Sequence, residues 1–175
     1  MSSARSTVIE IAELEKSFGN STSVLTDFSL SVAQHELISI IGPSGCGKST
    51  LLRLIAGLEI PTLGNIRFRL DQKPEISYIF QDPTLLPWAT VRENIALPLV
   101  LKKEKKVSIE QKVEKMLKLV GLETDGYKTP DQLSGGMKMR VSLARGLILR
   151  PNVILYDEPF AALDPFHEIG LMRKS

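Results

Sequence analysis

The feature that most constrains the fold of this 175-residue chain is a glycine-rich loop between two apolar segments. The loop follows the pattern G-x-x-x-x-G-K-[ST] and reads Gly42, Pro43, Ser44, Gly45, Cys46, Gly47, Lys48, Ser49 and Thr50. The preceding segment, 36–41, predicts a buried β-strand, and the following segment, 51–56, predicts a helix. A strand that leads into such a loop and then into a helix is the context in which this motif binds phosphate.

The residue types of this loop suit a phosphate ligand. Glycines let backbone N–H groups turn toward phosphate oxygens, and the helix N-terminus adds a partial positive charge. Lys48 adds a full positive charge, and Ser49 adds a hydroxyl for Mg²⁺. The alternative is a glycine-rich turn that binds nothing, but the flanking elements and the Lys-Ser pair favour a nucleoside triphosphate. We also expect a bound triphosphate to shield Cys46 from alkylation.

Composition indicates one globular domain with a sizeable core, since 43% of residues are hydrophobic and 24% are charged. A net charge of +2 gives no argument for nucleic acid, and the lysine cluster at 102–106 fits a solvated surface. No apolar run approaches the roughly 20 residues that span a bilayer. The polar N-terminus has no stretch of signal-peptide type. A single cysteine excludes an internal disulfide and agrees with a reducing cytoplasm.

Apolar patterning predicts alternating strands and helices. Strands are expected at 8–14, 24–32, 66–70, 76–80 and 153–156. Capping boxes at Thr90 and Ser108 predict two helix starts, and Gly121 is expected to end the second helix. A further amphipathic helix is expected from Gly135 to Leu149. A helical insert at 82–150 would thus lie between two strands of an α/β core.

Two acidic residues follow the strand expected at 153–156. Asp157, at the strand end, can hold Mg²⁺ through water. Glu158 can polarise an attacking water as a general base. The alternative is a simple turn before Pro159, but a phosphate loop in the same chain favours a catalytic pair.

A second anion site is predicted where the helix from Gly135 begins. Ser134 is a good N-cap, and Gly135 and Gly136 expose backbone N–H groups at the helix start. One chain does not need both anion sites for one nucleotide. The second site therefore suits the nucleotide of a partner chain.

Taken together, these motifs resemble the ATP-binding subunit of an ABC transporter over residues 8–166. The resemblance implies that Phe18 stacks on adenine and that 42–50 is the Walker A loop. It identifies 133–137 as the signature motif and 162–164 as the D-loop, which reaches across a dimer. Met137 occupies a position where glutamine is more usual.

The resemblance also assigns the metal ligands and the catalytic residues. It implies that Ser49, Gln81 and Asp157 bind Mg²⁺. It implies that Glu158, Lys48 and Gln81 carry ATP hydrolysis, with Gln81 contacting both the attacking water and the permease. ATP and Mg²⁺ are the expected cofactors.

The implied fold class is α/β: a P-loop NTPase with a RecA-like core, an N-terminal antiparallel β subdomain and a helical ABC subdomain, C-terminally incomplete. We expect a single ABC ATP-binding domain. Residues 1–81 would form the β subdomain and phosphate-loop core, 82–150 the helical subdomain, and 151–175 the Walker B strand and D-loop.

The implied partners are a second ATP-binding subunit, membrane permease subunits and, indirectly, a solute-binding protein, at the cytoplasmic face of the membrane. No nucleic acid partner is expected. Residues 80–88 and 134–137 are similar to the nitrate/sulfonate/taurine importer branch. Trp88 either packs within the helical insert or helps form the surface that grips a permease helix, and His35 is expected on the surface.

The sequence departs from the family pattern near its end. The family has a histidine that contacts the γ-phosphate beyond the catalytic glutamate, whereas the histidines here are His35 and His167. A core strand is also expected beyond Ser175, so the sequence is interpreted as truncated after the D-loop, with weak nucleotide binding and little hydrolysis. The alternatives are a fragment that only binds nucleotide and a non-transport ABC-type ATPase. The short span from Gln81 to Leu133, without heptads, argues against the latter.

Overall fold

The computed structural model describes residues 6–19, 22–70 and 73–157, and its contacts divide the chain into two compact units. The first unit is Met1–Pro74 and the second is Glu75–Ser175. Each unit has a sheet of its own. Within the described part of the chain, no helix is long and apolar enough to cross a bilayer.

The first unit contains a three-stranded antiparallel sheet. Its strands are β1 (Thr7–Phe18), β2 (Thr22–Ala33) and β3 (Leu63–Phe68), in the order β2-β1-β3. The first two confirm the predicted strands, and β3 begins three residues earlier than predicted. β1 is central, and Ile9, Ile11 and Leu14 on it are buried. An irregularity in the pairing at Glu13, whose φ is 48°, breaks the alternation, so that Leu14 rather than Glu13 enters the core.

The prediction of a strand at 36–41 is wrong. This segment has no regular secondary structure, and Leu37 and Ile41 are 82% and 86% exposed. A strand needs a hydrogen-bonded neighbour, and none of the described strands pairs with this segment. The helix after the loop is confirmed: α1 spans Lys48–Ile55 and buries Leu51, Leu54 and Ile55.

The second unit contains two parallel strands joined through a helical crossover. The strands are β4 (Ile76–Ile79) and β5 (Val153–Tyr156), with Ile76 opposite Val153. The crossover contains α2 (Val91–Leu101), α3 (Lys106–Leu119) and α4 (Gly135–Leu147). The predicted insert of helices between two strands is therefore confirmed. Parallel strands require such a crossover because a short hairpin cannot join them.

The three crossover helices share one apolar core. It takes in the apolar faces of α3 and α4, with Ile109, Met116 and Met137 only partly buried at its edge. Its buried members are Val91, Ile95, Leu99, Val113, Leu117, Val120, Leu122, Leu133, Val141, Ala144 and Ile148.

One predicted capping box is confirmed and the other is wrong. Thr90 Oγ1 accepts a hydrogen bond from Glu93 N at 3.2 Å, and Glu93 Oε2 accepts one from Thr90 N at 2.7 Å. The bond from Thr90 N, together with a second from Thr90 Oγ1 to Glu93 Oε2 at 2.8 Å, lowers the pKa of Glu93. Ser108, in contrast, lies inside α3, which begins at Lys106, and its hydroxyl donates to Glu104 Oε2 at 3.1 Å. Because α3 begins before Ser108, the backbone N–H groups that a cap at this position would accept from already bond within the helix. Gly121 has a φ of 63° and follows α3 as predicted.

Candidate functional site

The glycines of the predicted phosphate loop adopt backbone conformations that other residues avoid. Gly45 has a φ of 80° and Gly47 a φ of 95°, in the left-handed region. Gly47 is the N-cap of α1, and a Cβ there would lie 2.9 Å from Val24 O on β2. Both backbone conformation and space therefore require glycine at this position.

Lys48 folds back over the loop that precedes it. Its Nζ donates to Gly42 O and Pro43 O, each at 2.8 Å, and lies 3.8 Å from Cys46 Sγ. The first residues of the loop are thus joined to the first residue of α1. An ammonium group has three donors, so a phosphate oxygen can replace a carbonyl as its acceptor.

The N-terminus of α1 suits an anion in two further respects. Gly47 has no side chain to cap the helix, and the first turn contains no acidic residue. Neither a capping side chain nor an acidic side chain of the first turn therefore competes with an anion for the partial positive charge at this end of α1. Ser49 and Thr50 lie half-buried in this turn.

Phe18, the predicted adenine contact, ends β1 and is 46% exposed. Lys16 Nζ lies 4.7 Å from the centroid of its ring and also pairs with Glu59 at 3.2 Å. The ion pair holds the ammonium over one face of the ring. An exposed aromatic ring is compatible with base stacking.

Asp157 directly follows β5 and is buried. Tyr78 Oη donates to Asp157 Oδ2 at 2.8 Å, and Asp157 N donates to Ile79 O at 3.0 Å. The Tyr78 ring also packs on Phe80, with centroids 4.5 Å apart. Contacts with β4 therefore fix both the side chain and the backbone of Asp157. The sequence analysis missed Tyr78 because only the parallel pairing of β4 with β5 brings it to Asp157.

Gln81 follows β4 and is exposed at the start of an irregular segment. Two side chains that the sequence analysis missed hold the residues after it. Asn94 of α2 is fully buried and accepts from Leu86 N at 2.8 Å, while its Nδ2 donates to Ala89 O at 3.0 Å. Arg145 of α4 donates to Pro83 O at 2.9 Å. An asparagine in the apolar stripe of α2 was the available sequence signal for the first of them.

The predicted second anion site lies at the start of α4. Ser134 is the N-cap, and its Oγ accepts from Met137 N at 3.3 Å. A Cβ built on Gly135 or Gly136 would meet nothing within 4 Å, and Ser134, Gly135 and Gly136 are all exposed. Met137 instead packs against the core of the second unit. The predicted cap and the open helix start are confirmed.

Of the remaining residues singled out from the sequence, some are exposed and the others lie outside the part of the chain that the structure describes. Trp88 is 77% exposed, so the alternative in which it packs within the insert is wrong. His35 is exposed in a turn with a φ of 61°, as expected. Glu158, the D-loop at 162–164 and His167 lie outside the described residues.

The candidate metal ligands are hard oxygen donors. Ser49 offers a hydroxyl, Asp157 a carboxylate and Gln81 an amide carbonyl, which is the donor chemistry that Mg²⁺ prefers. The described residues contain no cluster of three or more His, Cys, Asp or Glu side chains that could hold a metal. By donor chemistry, each of the three side chains suits a magnesium ion that also takes ligands from water and phosphate.

The glycine-rich loop, the lysine at the start of α1 and the parallel strand that is followed by Asp157 define a P-loop nucleotide-binding protein. A family model described as "ABC transporter" matches residues 25–161. The chain belongs to the ABC transporter family.

Its relatives include three curated ATP-binding proteins. CmpC, a bicarbonate transport ATP-binding protein of Synechococcus elongatus, is 47% identical over 95% of this chain and 26% of that protein. NrtC, a nitrate import ATP-binding protein of Synechocystis sp., is 45% identical over the same shares. PotA, a spermidine/putrescine import ATP-binding protein of Fusobacterium nucleatum, is 47% identical over 89% of this chain and 43% of that protein. The chain spans about a quarter of the length of CmpC and NrtC.

Solved structures share the fold. The ATP-binding cassette MJ0796, in a dimeric post-hydrolysis state bound to ADP and Pi, has a TM-score of 0.82 at 30% identity. The match covers 92% of this chain and 79% of that one. cbiO1 from Clostridium perfringens has a TM-score of 0.80 at 30% identity, with 93% and 70% covered. The P-loop NTPase fold class is confirmed.

Proposed function

We propose that this chain binds MgATP and hydrolyses it as an energy-coupling subunit of an ABC importer. The observation that carries the proposal is the Lys48 ammonium, held over the loop at 2.8 Å from the carbonyls of Gly42 and Pro43. That contact keeps a full positive charge beside the uncapped N-terminus of α1. The two charges together favour a polyphosphate.

Each residue of the site has a defined part in this mechanism. Lys48 and the backbone N–H groups of the loop bind the phosphates, and Phe18 stacks on the adenine. Mg²⁺, when bound, supplies charge that stabilises the transferring phosphoryl group. Ser49, Asp157 and Gln81 would hold it. The bond from Tyr78 fixes one carboxylate oxygen of Asp157. Glu158 is proposed as the general base on the strength of the sequence pattern.

The exposed start of α4 supports a dimeric mechanism. Ser134, Gly135 and Gly136 would bind the nucleotide held by a second ATP-binding subunit, so that two chains enclose two ATP molecules. Closure of this dimer would drive permease subunits that receive solute from a binding protein. The chain would then lie peripherally at the cytoplasmic face of the membrane. The dimeric state of MJ0796 supports this arrangement.

The transported solute is proposed from the sequence of 80–88, which favours importers of nitrate, sulfonate or taurine. The 45% identity to NrtC supports this class. Identity alone does not select it, because PotA, named for polyamines, is 47% identical. Co-purification of the native complex and measurement of the solute bound by its binding protein would test the assignment.

The nucleotide site is tested by the affinity for a fluorescent ATP analogue with Mg²⁺. Lys48→Ala should weaken binding about tenfold or more, the value of one charge-assisted hydrogen bond. Lys118→Ala, which removes an exposed lysine of α3, is the matched control and should leave binding unchanged. Equal affinity of the Lys48→Ala variant and the wild type would overturn the proposal.

A chain that binds nucleotide without hydrolysing it is the second candidate. The observation that favours it is the segment before the loop, where Leu37 and Ile41 are exposed and no described strand pairs with 36–41. A loop whose entry is not held in a sheet aligns phosphate poorly for chemistry. Single-turnover phosphate release separates the two candidates: release supports the ATPase, and binding without release supports the second.

A further inference from the structure

Arg145, near the end of α4, binds the backbone of the Gln81 segment, defined as residues 81–86. Its Nη2 donates to Pro83 O at 2.9 Å and to Thr84 Oγ1 at 3.1 Å, and its Nη1 donates to Thr84 O at 3.1 Å. The planar guanidinium thus grips two consecutive carbonyls and a hydroxyl in one fixed geometry. A lysine cannot reproduce this fork.

The grip falls on a strained residue. Thr84 has a φ of 46°, in the left-handed region that β-branched residues avoid. Such a conformation persists only where surrounding contacts impose it. Arg145 supplies three of those contacts, and its partial burial lowers its pKa.

The helix that carries Arg145 is anchored beside β4. A Cβ on Gly146 would lie 2.7 Å from Ser77 Oγ and 3.1 Å from Ile79 Cγ1. The end of α4 is therefore packed tightly on the strand that leads into Gln81. Residues Gly135 and Arg145 are ten positions apart on one helix, which is about 15 Å at 1.5 Å per residue.

The far end of the Gln81 segment is held independently. Asn94 of α2 accepts from Leu86 N at 2.8 Å and is fully buried. Residues 83–84 are thus the part of the segment whose position depends on α4. The segment has one attachment to α2 and another to α4.

We propose that Arg145 is a positioning residue that couples Gln81 to the start of α4. The inference rests on the proposed function, in which Gln81 serves this chain's own nucleotide and Ser134 serves the partner's. When residues 83–84 shift, the guanidinium carries the shift to a rigid helix whose other end is Ser134–Gly136. The two half-sites on one chain then change position together.

The first test is amide hydrogen exchange of the full chain, without nucleotide, in the Arg145→Lys variant. Exchange across residues 81–86 should rise about tenfold, the effect of losing one or two charged hydrogen bonds. Arg140→Lys is the matched control: this arginine also lies on α4 but donates to Val120 O at 3.1 Å. It should leave 81–86 unchanged. An equal effect of both variants on 81–86, or no effect of either, would overturn the inference.

A second variant covers the case in which Arg145→Lys does not fold. Thr84→Val keeps the β-branched shape and removes only the hydroxyl that accepts from Arg145 Nη2. It should raise exchange in the same segment by about threefold, because one lost bond carries about half the free energy of the two behind a tenfold change. Unchanged exchange across residues 81–86 would count against the role of the Arg145 hydrogen bonds.

The functional test is the division of the ATPase effect between kcat and KM. Arg145→Lys should lower kcat about tenfold with KM within about twofold, because Gln81 acts on the reaction rather than on nucleotide binding. If Arg145 had a purely structural role, the variant would instead have a lower fraction of active protein, and the rise in amide exchange would not be confined to residues 81–86. If the wild type binds no MgATP, the proposed function fails while the exchange measurement still decides the role of Arg145.

Discussion

Lys48 and Arg145 each bind two consecutive backbone carbonyls, but they do so over very different distances in sequence. Lys48 binds the carbonyls of Gly42 and Pro43, six and five residues before it. Arg145 binds the carbonyls of Pro83 and Thr84, 62 and 61 residues before it. The first contact forms within one loop, and the second forms only when α4 has packed beside β4.

The chemistry of the two side chains matches this difference. Lysine is a flexible point charge, so Lys48 can exchange a carbonyl for a phosphate oxygen at little cost. The guanidinium of Arg145 is a rigid fork, and its partners lie on a strained backbone at Thr84. We therefore expect the local contact to respond to ligand and the long-range contact to hold geometry.

The largest effect is expected from the loop itself. Gly47→Ala should destabilise the chain by about 2–4 kcal/mol and abolish MgATP binding, because a Cβ would lie 2.9 Å from Val24 O at a φ of 95°. Gly57→Ala is the control, with a φ of 72° and nothing within 4 Å of the added Cβ. It should cost only about 1 kcal/mol. Equal losses in urea unfolding would contradict the close approach of β2.

The next effect concerns the other attachment of the Gln81 segment. Asn94→Ala should destabilise the chain by about 2–3 kcal/mol, since it removes the side chain that binds the partly buried Leu86 N–H and the buried Ala89 carbonyl. Asn152→Ala removes an exposed side chain that accepts from Glu75 N at 3.1 Å. Its cost should stay near or below 1 kcal/mol. Thermal unfolding of the two variants measures the difference.

A smaller effect is expected at Asp157. Tyr78→Phe keeps the ring on Phe80 and removes the 2.8 Å bond to the carboxylate, at a cost of about 1 kcal/mol. The Mg²⁺ concentration needed for tight ATP binding should change in this variant while affinity in EDTA does not. Tyr127→Phe is the control, because Tyr127 is 81% exposed. An unchanged Mg²⁺ titration would remove Tyr78 from the site.

The smallest effect is a pH dependence at a local contact. The hydrogen bonds from Thr90 lower the pKa of Glu93 below its ordinary 4.5. A carboxyl whose folded-state pKa is lowered stabilises the fold above its unfolded-state pKa, and this stability is lost as pH falls through the folded-state value. The Tm advantage of wild type over Glu93→Gln should therefore shrink as pH falls below 4.5. A Tm difference between wild type and Glu93→Gln that increases as pH falls would contradict the lowered pKa of Glu93.

Prediction from sequence succeeded where the deciding contacts are local. The capping box at Thr90, the N-cap at Ser134 and the left-handed glycine at 121 each depend on residues within one helical turn. The Ser108 box failed at the same range, because α3 begins upstream at Lys106 and places Ser108 inside the helix. Sequence spacing alone does not show which of several nearby residues begins a helix.

The sequence by itself determined the phosphate loop, the amphipathic faces of α3 and α4, and the family to which the chain belongs. These follow from residue types at fixed short spacings, which set backbone conformation and periodicity directly. Only the tertiary structure decided that 36–41 does not form a strand, that Tyr78 meets Asp157, and that Arg145 grips residues 83–84. Each of these depends on which strands pair and which helix packs on them, and such pairing joins residues that are distant along the chain.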